Sequence, residues 1–409
     1  MNWIGLRFGL AFVGAGIWFE SPEAVLLGLA TLLIVGMTRL WSRSGLRDLH
    51  YERTIASDRT VWGEDLPMEI AVLNDKPIPV PMVSVEDFAT QEAVVREQPL
   101  AVSQRWGLAV LQSRWRLGWH ERVVRRLTIG AERRGVYSFG PVRITVSDLF
   151  GYDEVTAEHE DDATYVVQPR TLTVLQADEP PVPAEQVRSR HSLFDDPALF
   201  AGVRPYRWGD PMRRVHWRAT ARTGVTLSKR FDPSRERNVL LALDVQTMSG
   251  SIWTNDEEMV EGLMVTASSL ARRALLDGAS CGLAAMALSR RIDTFAFAPP
   301  RAGREQLSTI AQLLGRLQAA PSAPFEVLLA RLPQRVPLGT TIVVITARDP
   351  GPYVDLLMRL QRLGYPIQVI GLGPNGPGAV ARARSVGFAA MTASLTPNWR
   401  TGDALVLAS

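Results

Sequence analysis

Residues 204 to 222 read RPYRWGDPMRRVHWRATAR, setting six arginines, two tryptophans and His216 around Asp210. A guanidinium is a planar fork of donors that grips carboxylate, phosphate or carbonyl oxygens, and an indole offers an apolar face for stacking. Three kinds of chemistry follow. In the leading one, Arg204, Arg207 and Arg213 pin a linker between two folded domains, with Trp208 and Trp217 packed alongside. In the second, Arg214, Arg218 and Arg222 capture an anion: a phosphate, an anionic lipid headgroup or an acidic partner surface. The third is base stacking on the two indoles. The formal net charge is only +3 and no second basic and aromatic surface exists, so no nucleic-acid partner is expected.

Local rules make a helix of residues 211 to 222. Asp210 suits the N-cap, Pro211 the first helical position and Gly224 the C-terminal stop. On that helix Arg214, Arg218 and Arg222 recur every fourth residue as one cationic stripe, while Met212, Val215 and Ala219 form a narrow apolar seam.

The usual catalytic patterns are missing. The chain has no Walker A loop, no H-E-x-x-H and no G-x-S-x-G. Cys281, the single cysteine, lies in the apolar run CGLAAMAL, which excludes a disulfide and a thiolate cage and reads as a buried strand position. Of the histidines His50, His120, His159, His191 and His216, only the last sits in a dense polar cluster. With no nucleophile beside it, His216 is expected to be a hydrogen-bonded structural residue rather than a general base. No enzymatic activity is expected.

The elements that must position this cluster begin with two apolar runs, WIGLRFGLAFVGAGIWF (3–19) and AVLLGLATLLIVGM (24–37), separated by ESPE. Each is near the lower length for a membrane span. Arg7 and Arg39 are placed to snorkel, and Trp3, Trp18 and Trp41 lie where aromatic belts form. Arg39, Arg43, Arg47 and Arg53 follow the second run and Glu20 and Glu23 occupy the turn, so the chain from residue 40 onward is expected on the cytoplasmic side of a cell membrane.

Short alternating segments follow: MEIAVLND (68–75), VPMVSVEDF (80–88), EAVVREQ (92–98), GLAVLQSRW (107–115), RVVRRLTIG (122–130) and VRITVSD (142–148). Period two with regular turns predicts a β-sandwich over residues 44–168. Residues 169–235, rich in proline and charge, read as a linker carrying the arginine motif. From 236 to 409 uniformly apolar strands such as NVLLALDV and TIVVITA alternate with helical patterns, which predicts a doubly wound α/β domain with a mostly parallel sheet.

The order of residues in the motif also carries a resemblance. The string GVRPYRWGDPMRRVHWRATARTGVTLSKRFDP (202–233) resembles the signature of the domain of unknown function 58 family, in which R-x-Y-x-x-G-D-x-x-R-x-I-H-W-x-x-[ST]-A-R precedes a strand ending in a charged x-R-F. Arg204, Tyr206, Gly209, Asp210, Arg213, His216, Trp217 and Arg222 fall on that pattern, and Val215 replaces its isoleucine. SGLRDLHYER (44–53), RRGVYSFGPVRITVSDLFGY (133–152) and the N-terminal pair of apolar runs are also similar to the family, so the resemblance reaches about residue 245. It implies a membrane-anchored protein with a von Willebrand factor A-like C-terminal half and a MoxR-type AAA+ ATPase as partner. It implies no reaction.

Adhesion-type von Willebrand factor A domains hold Mg²⁺ with an Asp-x-Ser-x-Ser loop, a threonine and a further aspartate. In LDVQTMSG, Asp244 matches the first position, but Gln246 and Met248 replace the serines, and a thioether is a poor ligand for that ion. Thr247 and Ser249 are each displaced by one residue. Asp244, Thr346 and Asp349 are therefore weak metal candidates, and no cofactor is expected. The chain is expected to be a membrane-anchored scaffold or adaptor. Its rivals are a metal-dependent hydrolase built on Asp244, Asp210 and His216, and a sensor of an anionic ligand.

Overall fold

The computed structural model describes residues 2–147, 154–177, 200–206, 212, 215–231, 237–248, 255–289, 295–396, 399–400 and 404–408. Its chain divides into two units, Met1–Val167 and Gln168–Ser409.

The first unit opens with two helices where the two apolar runs lie, α1 (Asn2–Trp18) and α2 (Pro22–Ser44). Ser21 caps α2 through a 3.5 Å bond from Ala24 N, with Pro22 at its first position and Glu23 in its first turn. The pair packs through small residues. A Cβ on Gly28 would lie 2.7 Å from Val13 N, and one on Gly9 would lie 2.8 Å from the Leu32 side chain. The outer faces are apolar too: Phe8, Leu10, Ile17, Leu26 and Leu33 are all exposed. Among the described residues no helix is long and apolar enough to cross a membrane.

Eleven strands follow in this unit: β1 (Leu49–Ile55), β2 (Arg59–Val61), β3 (Leu66–Asn74), β4 (Val80–Thr90), β5 (Val94–Val95), β6 (Ala101–Val102), β7 (Leu108–Leu117), β8 (Glu121–Gly130), β9 (Gly135–Ser147), β10 (Glu154–His159) and β11 (Ala163–Gln168). They form a four-stranded sheet, β1-β3-β8-β5, and a seven-stranded sheet, β2-β11-β9-β4-β7-β6, with β10 on β9. Alternation decides the faces. In β7, Leu111, Ser113, Trp115 and Leu117 are buried while the residues between them are exposed. Met68, Ile70 and Ile129 from one sheet meet Val85, Phe139 and Ile144 from the other in one core.

A polar knot is buried in that unit. Arg53 Nη1 lies 2.5 Å from Asp87 Oδ1, Tyr51 Oη donates to Asp87 Oδ2 at 2.8 Å, and Arg53 Nη2 donates to the Phe139 and Asp161 carbonyls. Arg53 was counted above among the positive flanks of the hairpin; its side chain is fully buried instead. Burial pushes the Asp87 carboxyl up, and the Arg53 guanidinium and the hydrogen bonds from Arg53 and Tyr51 oppose that push.

The second unit contains β12 (Thr173–Gln176), β13 (Phe200–Pro205), α3 (Trp217–Thr223), β14 (Leu227–Phe231), β15 (Asn238–Leu243), α4 (Glu257–Leu276), β16 (Ser280–Ser289), β17 (Phe295–Arg301), α5 (Arg304–Arg316), β18 (Leu317–Pro321) and α6 (Phe325–Arg331). After these come β19 (Thr341–Thr346), α7 (Val354–Arg362), β20 (Ile367–Leu372), α8 (Gly376–Ser385), β21 (Ala389–Leu395) and β22 (Ala404–Ala408). The main sheet runs β12-β22-β21-β20-β19-β15-β16-β17, with β18 paired to β16. Strands β16, β15, β19, β20 and β21 are mutually parallel, while β17 is antiparallel to β16 and β22 to β21.

These strands are apolar throughout because both faces are covered. Leu240 and Ala242 of β15 join Leu328, Leu357 and Val380 from α6, α7 and α8. The alternate residues Val239, Leu241 and Leu243 are equally buried, and α4 packs on β15 and β16. From β15 the chain passes through α4 to β16 on one side, then returns to build β19, β20 and β21 on the other. The strand order therefore reverses between β15 and β19. Open α/β sheets place their ligands outside the carboxyl ends of the strands at such a reversal.

The sheet also takes in β12, whose Thr173 to Gln176 pair in parallel with Ala404 to Leu407. This segment lies within the stretch read above as linker.

Candidate functional site

At the strand reversal, β15 runs into Asp244 and β19 ends on Thr346. The parallel register Leu243 to Ile345 sets these two residues side by side, and Asp244 N continues the ladder to Ile345 O at 2.9 Å. Thr346 Oγ1 donates to Asp244 Oδ2 at 3.0 Å, and Arg348 Nε donates to the same oxygen at 2.8 Å. Asp244 Oδ1 accepts from Gln246 N at 3.2 Å. Arg348 Nη2 then reaches Gln246 Oε1 at 2.8 Å, and that oxygen also accepts from Phe325 N at the start of α6, at 3.2 Å. Glu326 stands 3.8 Å from Arg348 Nη2, and the guanidinium lies over the Tyr353 ring, 5.2 Å from its centroid.

The central pair is buried. The Asp244 side chain is 0% exposed and that of Arg348 is 4% exposed. Burial pushes the Asp244 carboxyl up to about 6, against the opposing pull of Arg348 and of hydrogen bonds from Arg348, Thr346 and the Gln246 backbone. At neutral pH it remains a carboxylate facing a guanidinium. Arg348 is itself held above its ordinary value: burial acts downward most strongly, and the charge and hydrogen bond of Asp244, with the charges of Tyr353 and Glu326, together outweigh it. Burial also raises the Tyr353 phenol well above its usual range, and the Asp244 charge adds to that shift.

The three weak metal candidates do not converge on a shared cation position. Asp244 and Thr346 meet, but both oxygens of Asp244 are engaged within the chain. Asp349 is 47% exposed and pairs elsewhere, with Arg382 Nε at 2.9 Å. Its Oδ1 also accepts from Gly351 N. Thr247 caps the approach to α4, accepting from Asp256 N at 2.8 Å, and Ser249 lies outside the described residues. Mg²⁺ needs several oxygens at about 2.1 Å with near-octahedral freedom. A donor set whose carboxylate already holds a guanidinium does not fit that ion. Among the described residues no cluster of three or more His, Cys, Asp or Glu forms a metal site.

The arginine motif folds differently from its local signals. β13 pairs antiparallel with β14, setting Arg204 opposite Ser228, and Tyr206 N donates to Thr226 O at 2.9 Å. Val215, buried, makes an isolated bridge to Ser228, and His216 N donates to Leu227 O at 2.8 Å. Extended pairing at Val215 is incompatible with a helix from 211, so the helix begins at Trp217. His216 is its cap: Nδ1 accepts from Ala219 N at 3.1 Å. Gly224, at φ 69°, closes the helix as expected. Of the expected stripe, Arg218 and Arg222 lie on α3, both exposed, and Trp217 beside them is exposed. Arg207, Gly209, Asp210, Arg213 and Arg214 lie outside the described residues, as does the side chain of Arg204.

Sequence reasoning missed Arg348, although it stands between the two candidates Thr346 and Asp349 in TIVVITARD. Gln246 was noted only as a poor substitute for serine. Its amide oxygen instead joins the guanidinium to the start of α6.

The chain thus pairs a unit of two helices and two β-sheets with a mixed α/β unit whose strand-reversal crevice is closed by its own arginine. The family described as "Protein of unknown function DUF58" matches residues 202–354. The matched span holds both the arginine motif and the whole Asp244, Thr346, Arg348 and Tyr353 cluster. A relative is the "Uncharacterized protein YeaD" of Bacillus subtilis (strain 168), 24% identical over 268 residues, which are 64% of this chain and 61% of that protein. Among solved structures, the CARDB domain of the PF1109 protein from Pyrococcus furiosus is 21% identical, with 29% of this chain and 90% of that one covered at a TM-score of 0.20. The sporulation control protein Spo0M from Bacillus subtilis is 9% identical, with 31% and 51% covered at a TM-score of 0.19. Similarity this low says nothing of this chain's fold.

Proposed function

We propose that this chain is a membrane-anchored, non-enzymatic scaffold whose α/β unit receives a protein partner. The observation that carries the proposal is the filled crevice. At the place where an open α/β sheet would take a small ligand or ion, Arg348 occupies the Asp244 carboxylate and Tyr353 lies against the guanidinium, leaving surface rather than a cavity to offer.

The anchor is α1 with α2. Their outward side chains are apolar and exposed on both helices, and a patch that large requires apolar surroundings. The 17 residues of α1 span about 26 Å, some 4 Å less than a typical hydrocarbon core of about 30 Å. Local thinning and flanking arginines and tryptophans make up such a difference. The resemblance supplies the partner, a MoxR-type AAA+ ATPase, and the cytoplasmic placement follows from the arginine flanks.

Two measurements test this. Carbonate-washed membranes retain the full chain and release a chain that begins at residue 45; recovery of the full chain in the soluble fraction without detergent overturns the anchor. The full chain in detergent micelles retains a purified MoxR-type ATPase, and no retention at micromolar concentration overturns the partner.

A further inference from the structure

Trp119 is 74% exposed at the tip of the turn joining β7 to β8. Such a side chain is usually free to fold back, but this turn is tied down. Gly118 O accepts from Asn74 Nδ2 and Gly118 N donates to Glu121 Oε2, each at 2.5 Å. His120 N donates to Lys76 O at 3.1 Å, and His120 Nδ1 lies 3.2 Å from Asp75 Oδ1. The indole is held outward by a built turn.

The same end of the sandwich receives the chain from the helical hairpin. Lys76, almost fully buried, donates from Nζ to Gly45 O at 2.6 Å and Arg47 O at 2.7 Å. Asp75 N donates to Asp48 O at 2.8 Å, and Leu46 packs on the sandwich core. The residues that follow α2 are therefore clamped to the loop that also carries the Trp119 turn. Arg47 and Arg116, both exposed, stand at this end as well.

We infer that this end of the sandwich rests on the headgroup layer of the bilayer that takes α1 and α2, with Trp119 as its interfacial anchor. An indole with an apolar body and one N–H donor is favoured at that depth, and exposed arginines meet lipid phosphate there. The inference rests on the anchor proposed above. An internal comparison is at hand, since Trp106 is 100% exposed at the other end of β7, about 30 Å away along a ten-residue strand.

The test uses the full chain in phosphatidylcholine and phosphatidylglycerol vesicles. Cys281 is the single cysteine and is buried, so an introduced thiol takes an environment-sensitive fluorophore selectively. Labels are placed by Leu33→Cys in the middle of α2, by Trp119→Cys and by Trp106→Cys; lipid brominated at mid-acyl chain is the quencher for position 33, and lipid brominated near the headgroup is the quencher for positions 119 and 106. Quenching at 33 and 119, at least twofold above that at 106, is expected. Quenching at 33 without quenching at 119 overturns this inference and leaves the anchor standing. Equal quenching at 119 and 106 also overturns it. No quenching at 33 overturns both.

Discussion

Arg348 shows how one side chain converts a possible ligand site into a closed structure. Removing it by Arg348→Ala leaves Asp244 buried among apolar strands with no opposite charge, and breaking a buried pair in this way costs about 3 to 5 kcal/mol. Thermal or urea unfolding of the full chain is expected to show that loss. A double replacement, Arg348→Met with Asp244→Asn, leaves no unpaired charge and is expected to recover much of it; a double variant no more stable than Arg348→Ala would show that the pair is not the source. Asp244 and Thr346 were visible in the sequence because each ends a strongly apolar strand. The partner of Asp244 was not, because the register of β15 on β19 decides where the guanidinium falls, and that register joins residues far apart in the chain.

A single β-bridge overrides three favourable local signals in the arginine motif. Asp210, Pro211 and the apolar seam argue for a helix from 211, yet Val215 pairs with Ser228 and buries its side chain, and the start of the helix moves to Trp217. His216 was expected to be structural, and its ring nitrogen supplies the cap. His216→Ala is expected to cost about 1 kcal/mol, the usual value of a lost N-cap, and His216→Asn to recover part of it. Denaturant titrations of the two variants compare these; equal midpoints for His216→Ala and the parent would remove the cap from the account. Alternation located β7, where buried and exposed residues alternate, and β9, where buried residues alternate with half-buried ones. EAVVREQ was expected as a strand over 92–98 and only Val94 and Val95 pair there, while the two residues of β6 are too few to show a period.

In the α/β unit the sheet is completed from a distant segment. β12 is only four residues long, lies in a stretch rich in proline and charge, and finds its partner β22 at the far end of the chain, so no local pattern could assign it. It covers the edge of β22, and an uncovered edge invites pairing with other chains. A fragment beginning at residue 168 is expected to stay monomeric, whereas one beginning at 236 loses β12 and is expected to associate or aggregate. Light scattering of the two at equal concentration decides; identical behaviour would show that β12 contributes nothing to the edge. The arginine that fills the crevice has a consequence of its own at this scale. A bound ion has a dissociation constant, so its occupancy follows the ion's concentration and a chelator empties the site. A guanidinium on the backbone never dissociates, and its counter-charge arrives in a fixed ratio of one per chain when the chain is made. The charge facing Asp244 is therefore set when the chain is made, not by the concentration of any ion.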